Sequence, residues 1–168
     1  LRLPSTFDRS TSVVSDETVL TAQAGAGAAT GSYTVQVTQL ATANQLANKA
    51  AKAVSGTTEV VSSGASTFTF RVGSGADQTV TLSAGATLDD LRSAINDLGA
   101  GVTASVINTG TEASPAYRLT LSATSSGADN TITVVADTTT LDFTNTSGTG
   151  GTDTLQAGQN AIVVIGDP

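Results

Sequence analysis

One stretch of the chain, residues 87–101, has the pattern of an amphipathic helix, and no other stretch shows that pattern clearly. Four apolar residues recur at helical spacing on one of its faces, namely Leu88, Leu91, Ile95 and Leu98. Thr87 and Asp90 have the spacing of a capping box at its start, and Gly99 can take the left-handed conformation that ends a helix. Because a helix of about 12 residues is marginal alone, its apolar stripe must pack on a sheet formed by the strand-like runs on either side.

The rest of the chain has the composition of a β-rich protein. Of its 168 residues 39% are hydrophobic, mostly Ala, Val, Leu and Ile, which is enough for a core. Only 4% are aromatic, and Thr, Ser and Gly make up much of the remainder, a mixture that favours many short strands and tight turns. We therefore expect a mostly β or α+β fold, in one ordinary domain or two small ones.

The chain contains no Cys, His, Met or Trp, and this argues against several functions. A Ser-His-Asp triad, a cysteine nucleophile, a zinc site of His or Cys, and a haem ligand all need residues that the sequence lacks. The net charge of −7 argues against nucleic-acid binding, which needs clustered Lys and Arg. No apolar run approaches the ~20 residues of a membrane-spanning helix, so no membrane partner is expected.

The first third of the chain holds one clear strand. Apolar and polar residues alternate with period two from Tyr33, which predicts a half-buried strand that ends near Leu40. Before it we expect an extended lead-in over residues 1–15 and a short strand over Asp16–Ala22. The glycine-rich residues 25–31 lack the third glycine of a dinucleotide-binding loop, so they predict a turn and no cofactor site.

An Ala-rich segment, Ala41–Val54, follows this strand. Its composition favours a helix, but its hydroxyl and amide residues are compatible with an extended chain, and both alternatives stay open. Lys49 and Lys52 lie three residues apart within it, with no carboxylate nearby in the sequence, and we interpret them as a solvated face.

The middle of the chain predicts a compact α+β unit. Residues 67–72 and 79–82 alternate apolar and polar side chains around a Gly- and Asp-containing turn, which predicts a β-hairpin. The helix over residues 88–98 comes next, and three further strands follow it, over Val102–Asn108, Ala116–Ser122 and Asn130–Ala136. The element order of this unit is therefore ββαβββ.

The two ends of the chain predict a second β unit. Residues 137–158 have few apolar anchors, and we expect residues 148–151 to be mobile. Asn160–Ile165 is a continuous apolar run suited to a buried strand, with Tyr33–Leu40 and Thr18–Ala22 as possible partners. We therefore predict one discontinuous β domain over residues 1–62 and 137–168, with an α+β domain over residues 63–136 inserted into it.

Acidic residues are the remaining candidates for catalysis or metal binding. Asp89 and Asp90 lie where they stabilise a helix N-terminus. Five other aspartates lie in predicted turns, where the side chain bonds the local backbone, namely Asp77, Asp129, Asp137, Asp142 and Asp153. None repeats at EF-hand spacing. We predict no catalytic, cofactor-binding or metal-binding residue, and note only that Asn145-Thr146-Ser147 fits the N-glycosylation sequon.

Three stretches of the sequence resemble the hook-associated protein 2 family (FliD), the caps of flagellar filaments. Residues 15–22 with 31–41 resemble the start of that family's exposed β region. Residues 87–106, with Tyr117–Leu121 and Gly127–Val134, resemble its hook IN motif, which some flagellins share. Residues 159–165 are similar to its return strand, although the family usually continues with Asp-Gly where this chain has Gly166-Asp167-Pro168.

The resemblance implies a non-enzymatic structural protein of the bacterial flagellum, the outer domains of a cap that promotes flagellin assembly at the distal tip. It further implies flagellin subunits as partners, a homo-oligomeric ring of the full-length protein, an extracellular location reached by flagellar export, and adhesion to a host surface as a possible extra role. The alternatives are a flagellin variable domain or a surface adhesin that binds host glycan or protein.

Two further expectations concern the chain as it stands. Its first residues, Leu1-Arg2-Leu3-Pro4, and its last, Gly166-Asp167-Pro168, suggest a fragment of a longer protein. Because no stretch shows sustained heptads and no large apolar run is left over once the strands and helix are buried, we expect the isolated chain to be monomeric or weakly associating.

Overall fold

The computed structural model describes residues 11–18 and 20–166. The chain divides into two compact units, one formed by residues 37–163 and the other by residues 1–36 with 164–168. One helix and nine strands occur among the described residues, in this order: β1 (Thr34–Gln39), β2 (Ala43–Asn48), β3 (Ser66–Val72), β4 (Gln78–Leu82), α1 (Leu88–Asp97), β5 (Val102–Asn108), β6 (Tyr117–Ser126), β7 (Ile132–Asp137), β8 (Thr152–Gln156) and β9 (Ile162–Gly166). The predicted mostly β, α+β fold is confirmed.

A four-stranded sheet in the order β5-β6-β2-β8 forms one layer of the larger unit. Strand β2 lies inside it, antiparallel to both β6 and β8. The Ala-rich segment that the sequence left open is thus an extended strand, followed by a short 3-10 turn over Ala50–Lys52. Asn48 explains this outcome, because its buried side-chain amide accepts a hydrogen bond from Leu119 N (2.8 Å) and donates one to Lys52 O (2.9 Å).

A three-stranded sheet in the order β4-β3-β7 forms the second sheet of this unit. The predicted hairpin is confirmed, since β3 and β4 pair antiparallel with Phe68 opposite Val80. Phe68 and Phe70 point to the same face of β3, as the period of two predicts, and both are fully buried. The rings of Phe68 and Phe143 meet edge to face with centroids 5.3 Å apart, which joins the loop after β7 to the core.

Helix α1 covers the core on one side and begins as predicted. Thr87 N donates to the Asp90 carboxylate (2.8 Å) and Asp90 N donates to Thr87 Oγ1 (3.2 Å), which is a complete capping box. Gly99 takes a left-handed conformation with φ of 57° after the last turn. Leu88, Leu91 and Ile95 are fully buried, whereas Leu98, the fourth residue of the predicted stripe, is 42% exposed.

The domain division stays a prediction, and the sheets add a fact that bears on it. Strands β2 and β8 belong to the predicted outer domain and β5 and β6 to the predicted insert, yet all four share one sheet. The compact unit of residues 37–163 also extends past both predicted boundaries. The sequence could not show this, because β2 pairs with β6 and β8, which both lie far from it along the chain.

Two predictions about the chain ends are wrong in part. No strand forms over the described part of Asp16–Ala22, and most of the predicted lead-in lies outside the described residues. Residues 137–158 contain strand β8 and place Leu141 and Phe143 in the core, although we expected few anchors there. The reason is local, because carboxylates of this segment accept main-chain hydrogen bonds that order it.

Strand β9 pairs with β1, as we expected for the run Asn160–Ile165 and its first proposed partner. Its predicted burial is wrong. Ile162, Val163 and Val164 are each 49% exposed and Ile165 is 68% exposed. These two strands form a sheet of their own with no third strand among the described residues, and side chains on both faces of β9 are about half exposed or more.

Candidate functional site

The acidic pair at the start of α1 has a structural role. Hydrogen bonds from the main-chain N–H and hydroxyl of Thr87 hold the pKa of Asp90 below its ordinary value. Asp89 instead accepts from Arg92 Nε at 2.8 Å, three residues along the exposed helix surface. Both carboxylates are engaged by groups at the start of their own helix.

Asp142 anchors the loop that connects β7 to β8. Its carboxylate accepts from the main-chain N–H groups of Thr146 (2.6 Å) and Ser147 (3.0 Å), and from the hydroxyls of both residues. These bonds, with the Ser147 hydroxyl foremost, hold the pKa of Asp142 well below its ordinary range. The predicted behaviour of a turn aspartate is confirmed, and Asp142 itself has a positive φ of 52°.

Asp137 orders the start of the same loop. Its two carboxylate oxygens accept from Thr139 N (2.7 Å) and Phe143 N (2.8 Å). Burial raises the pKa of this carboxyl, and these hydrogen bonds oppose the shift. Of the other aspartates predicted in turns, Asp77 pairs with Arg71 at 3.4 Å and Asp129 lies in a short 3-10 turn.

Asp153 differs from the prediction, because it lies in strand β8 and bonds distant side chains. Its carboxylate accepts from Lys49 and from Arg118 (2.5 Å), which hold its pKa below the ordinary value. Lys52 lies 3.9 Å from the Asp142 carboxylate. The interpretation of Lys49 and Lys52 as a solvated face agrees with Lys49, whose side chain is 44% exposed, and less with Lys52, at 23%; the fold brings carboxylates from residues 142–153 to both.

No group of three acidic side chains in the described part of the chain lies close enough together to hold a metal ion. Within residues 11–18 and 20–166, no helix is long and apolar enough to cross a membrane. Asn145 of the sequon is exposed in the Asp142 loop with φ of 61°, and both hydroxyls after it donate to Asp142. The prediction that the chain has no catalytic, cofactor or metal residue stays a prediction.

Apolar side chains in and beside β1 and β9 are exposed, which the sequence interpretation missed. In the larger unit, Val37, Leu40, Ile162 and Val163 are between 42% and 74% exposed. In the smaller unit, Tyr33, Val35, Val164 and Ile165 are between 37% and 68% exposed. The signal in the sequence was the unbroken apolar run of β9, which we interpreted as buried.

Family models match two parts of the chain. The model for the flagellar hook-associated protein 2 N-terminus matches residues 1–44, and that for the flagellin hook IN motif matches residues 67–125. Hook-associated protein 2 of Escherichia coli K12 is 32% identical over 162 residues, which cover 92% of this chain. The D2-D3 domains of the E. coli flagellar cap protein FliD are similar in structure, with a TM-score of 0.69 and 30% identity over 83% of this chain and 73% of that one.

The chain belongs to the flagellar hook-associated protein 2 family. The FliD D2-D3 domains of Serratia marcescens agree, with a TM-score of 0.65 and 30% identity over 84% of this chain and 77% of the other. The chain spans about a third, 34%, of the length of its curated E. coli relative. Its structural likeness to FliD is therefore to the D2 and D3 domains, and the IN motif covers β3 to β6.

Proposed function

We propose that the chain forms the outer domains of a flagellar filament cap, which promotes flagellin assembly at the distal tip. One observation carries this proposal, the structural similarity to the D2-D3 domains of the E. coli cap protein over 83% of the chain. The proposed role is structural and not enzymatic. A flagellin variable domain or a host-binding adhesin gains no support from the relatives described above, whose solved structures are those of cap proteins.

Partners and location follow from the same proposal. The full-length protein would contact flagellin subunits, associate with copies of itself into a ring, and act outside the cell at the flagellar tip after export by the flagellar secretion system. The exposed apolar residues of β1 and β9 support a role in assembly. Exposure of apolar side chains to water is unfavourable, and contact with another protein buries them and removes that cost.

Deletion of the full-length gene tests the proposal. We expect deletion to shorten or abolish filaments and to release flagellin monomers into the medium, with recovery when the gene is supplied again. Electron microscopy of filaments and quantification of secreted flagellin give the readout. Normal filaments without released flagellin would overturn the proposal. Microscopy of the purified full-length protein separates the alternatives, since a cap forms closed rings and a flagellin forms filaments.

A further inference from the structure

A cavity of about 390 Å³ opens in the larger unit between the two sheets. That volume lies within the range of small ligand sites. The floor is formed by side chains of β2 and β8 and one wall by β7. The residues that matter for its chemistry are Asn44, Leu46, Ile132, Val134, Thr152 and Thr154.

The wall formed by β7 is the free edge of the three-stranded sheet. Gly73 N donates to Thr131 O (2.8 Å), so the main chain of Thr131 faces β3, whereas Ile132 N is directed away and donates to Asn44 Oδ1 (2.9 Å). Alternate residues of an antiparallel strand direct their N–H and C=O groups to opposite sides. The main-chain groups of Val134 therefore face the cavity, as those of Ile132 do.

The floor is an inner sheet face that lacks a cover. Leu46 lies opposite Thr154 in the register of β2 and β8, so both side chains share one face. Leu46 is only 6% exposed, whereas Thr154 is exposed to solvent. A further strand beside β7 would lie over Thr152 and Thr154 and cover this face.

Asn44 shows that the site can accept an amide. Its side chain donates to Gln156 O at the end of β8 (3.0 Å) and accepts from Ile132 N of β7 (2.9 Å). A carboxamide presents one N–H and one C=O as a peptide group does. Asn44, which is only 3% exposed, thus takes the place of one peptide group in the lining of the cavity.

The charge of the site limits what fits. No residue that lines the cavity is charged, although the chain carries a net charge of −7. Charged groups that follow β2 are paired with carboxylates of residues 142–153, Lys52 with Asp142 and Lys49 with Asp153. A charged side chain placed here would lose its hydration without gaining a partner, so an uncharged segment matches the site.

We propose that this cavity binds an extended, uncharged peptide segment of a partner protein, which adds a strand to the free edge of β7. Main-chain hydrogen bonds to Val134 and to the carbonyl of Ile132 hold the segment, and its small or β-branched side chains cover Thr152 and Thr154. This is β-strand addition at a sheet edge, where the backbone supplies affinity and the side-chain pockets supply selectivity.

Hydrogen exchange of the whole chain tests the proposal, with a blocked hexapeptide of alternating threonine and valine as the probe. In the free protein, the Val134 amide should exchange faster than that of Thr133, which faces β3. Saturating peptide should slow exchange at Val134 by about tenfold or more and leave Thr133 unchanged. The same peptide with every amide N-methylated should have no effect, because neither of its edges then carries an N–H that can pair with β7.

Two matched variants locate the site. Thr154→Trp fills the cavity from an exposed position and should weaken peptide binding by about tenfold or more. Thr81→Trp, at an exposed position of edge strand β4, should bind the peptide as the unchanged protein does. Circular dichroism and urea unfolding confirm that both variants fold.

Four outcomes would overturn the proposal. They are unchanged exchange at Val134 with saturating peptide, equal binding by Thr154→Trp, equal action of the N-methylated peptide, and protection along β4 in place of β7. Protection of Val134 that grows with protein concentration in the absence of peptide would also contradict it, since the occupant would then be a second copy of the chain.

Discussion

The side-chain amide of Asn96 in α1 pairs with both main-chain groups of Ala104 in β5. Asn96 Nδ2 donates to Ala104 O at 2.9 Å, and Ala104 N donates to Asn96 Oδ1 at 2.7 Å. Because β5 is an edge of the four-stranded sheet, the helix supplies the hydrogen bonds that a further strand would make. One residue therefore fixes the helix to the sheet and blocks an open edge.

We predict that Asn96→Ala lowers the free energy of unfolding by about 1–3 kcal/mol, because it leaves both groups of Ala104 without their partner. Urea unfolding of the chain measures the change. Asp97→Ala, at the exposed neighbouring position, is the control and should change stability by about 0.5 kcal/mol or less. Equal effects of the two variants would show that the Asn96 pair contributes nothing specific.

The capping box at the N-terminus of α1 predicts a loss of stability when Thr87 is replaced. Thr87→Ala removes the hydroxyl that accepts from Asp90 N, and should lower the free energy of unfolding by about 1 kcal/mol. Thr87→Ser keeps that acceptor and should recover most of the loss. Thermal unfolding followed by circular dichroism gives both values, and a serine variant no better than alanine would argue against capping.

Two glycines with nearly equal φ allow the cost of a left-handed backbone to be distinguished from the cost of steric overlap. Gly73 and Gly99 have φ of 55° and 57°, but a Cβ at Gly73 would overlap the carbonyl oxygen of Asp129, whereas none lies near Gly99. Gly99→Ala should cost about 1–2 kcal/mol for the left-handed conformation. Gly73→Ala should cost about 1–3 kcal/mol more, from the overlap. Equal unfolding free energies for the two variants would contradict this prediction.

The Asp142 loop predicts a dependence of stability on pH. Hydrogen bonds from Ser147 and Thr146 lower the pKa of Asp142 in the folded protein, so its ionised form favours folding. This contribution is fully present above the unfolded pKa of about 3.9 and is lost as the pH falls toward the folded pKa. Asp142→Asn should therefore be less stable than the unchanged protein at pH 7, with a deficit that shrinks below about pH 4.

Urea unfolding at several pH values measures that deficit. Asp129→Asn is the control, because it removes one carboxylate of the same charge from an exposed 3-10 turn. Its stability relative to the unchanged protein should vary less with pH. If the stability deficit of Asp142→Asn stayed constant down to acidic pH, the loss would come from altered hydrogen-bond geometry and not from the ionisation of the Asp142 carboxylate.

The exposed side chains of β9 predict weak self-association of the isolated chain. At micromolar concentration we expect monomers, because seven net negative charges oppose contact, and at higher concentration a gradual rise in sedimentation coefficient. Val163→Lys should reduce that rise. Val60→Lys makes the same charge change at nearly the same exposure, 48% against 49%, and should leave the rise as it was. A stable oligomer at micromolar concentration would contradict the prediction.

Local patterns in the sequence were sufficient to predict the elements whose causes are local. The period of 3.6 and the capping residues predicted α1 to within one residue, and alternation with turn residues predicted the bounds of β5. Strand β2 could not be predicted in this way. Its buried asparagines bond Ile132 and Leu119, which lie 88 and 71 residues away, and the local sequence does not contain those partners.

The surface was harder to predict than the elements, for a related reason. An apolar run predicts a strand such as β9, but its burial depends on whether other strands cover it. Likewise, Lys49 and Asp153 are distant in sequence, and only the register of β2 with β8 brings them together. Of the candidate site, the roles of Asp90, Asp137 and Asp142 could be predicted, whereas the cavity beside β7 could not.

The position of β2 within its sheet has a consequence for how the chain folds. Asn44 and its partner Gln156 are 112 residues apart, so a chain that emerges with its N-terminus first has made β2 long before β8 is free to pair with it. Until then the alanine-rich strand has one neighbour at most. Contacts between residues so distant form late and slow the overall rate. The hairpin of β3 and β4, with α1, is the part that can form early, and the four-stranded sheet is complete only once β8 has paired with β2.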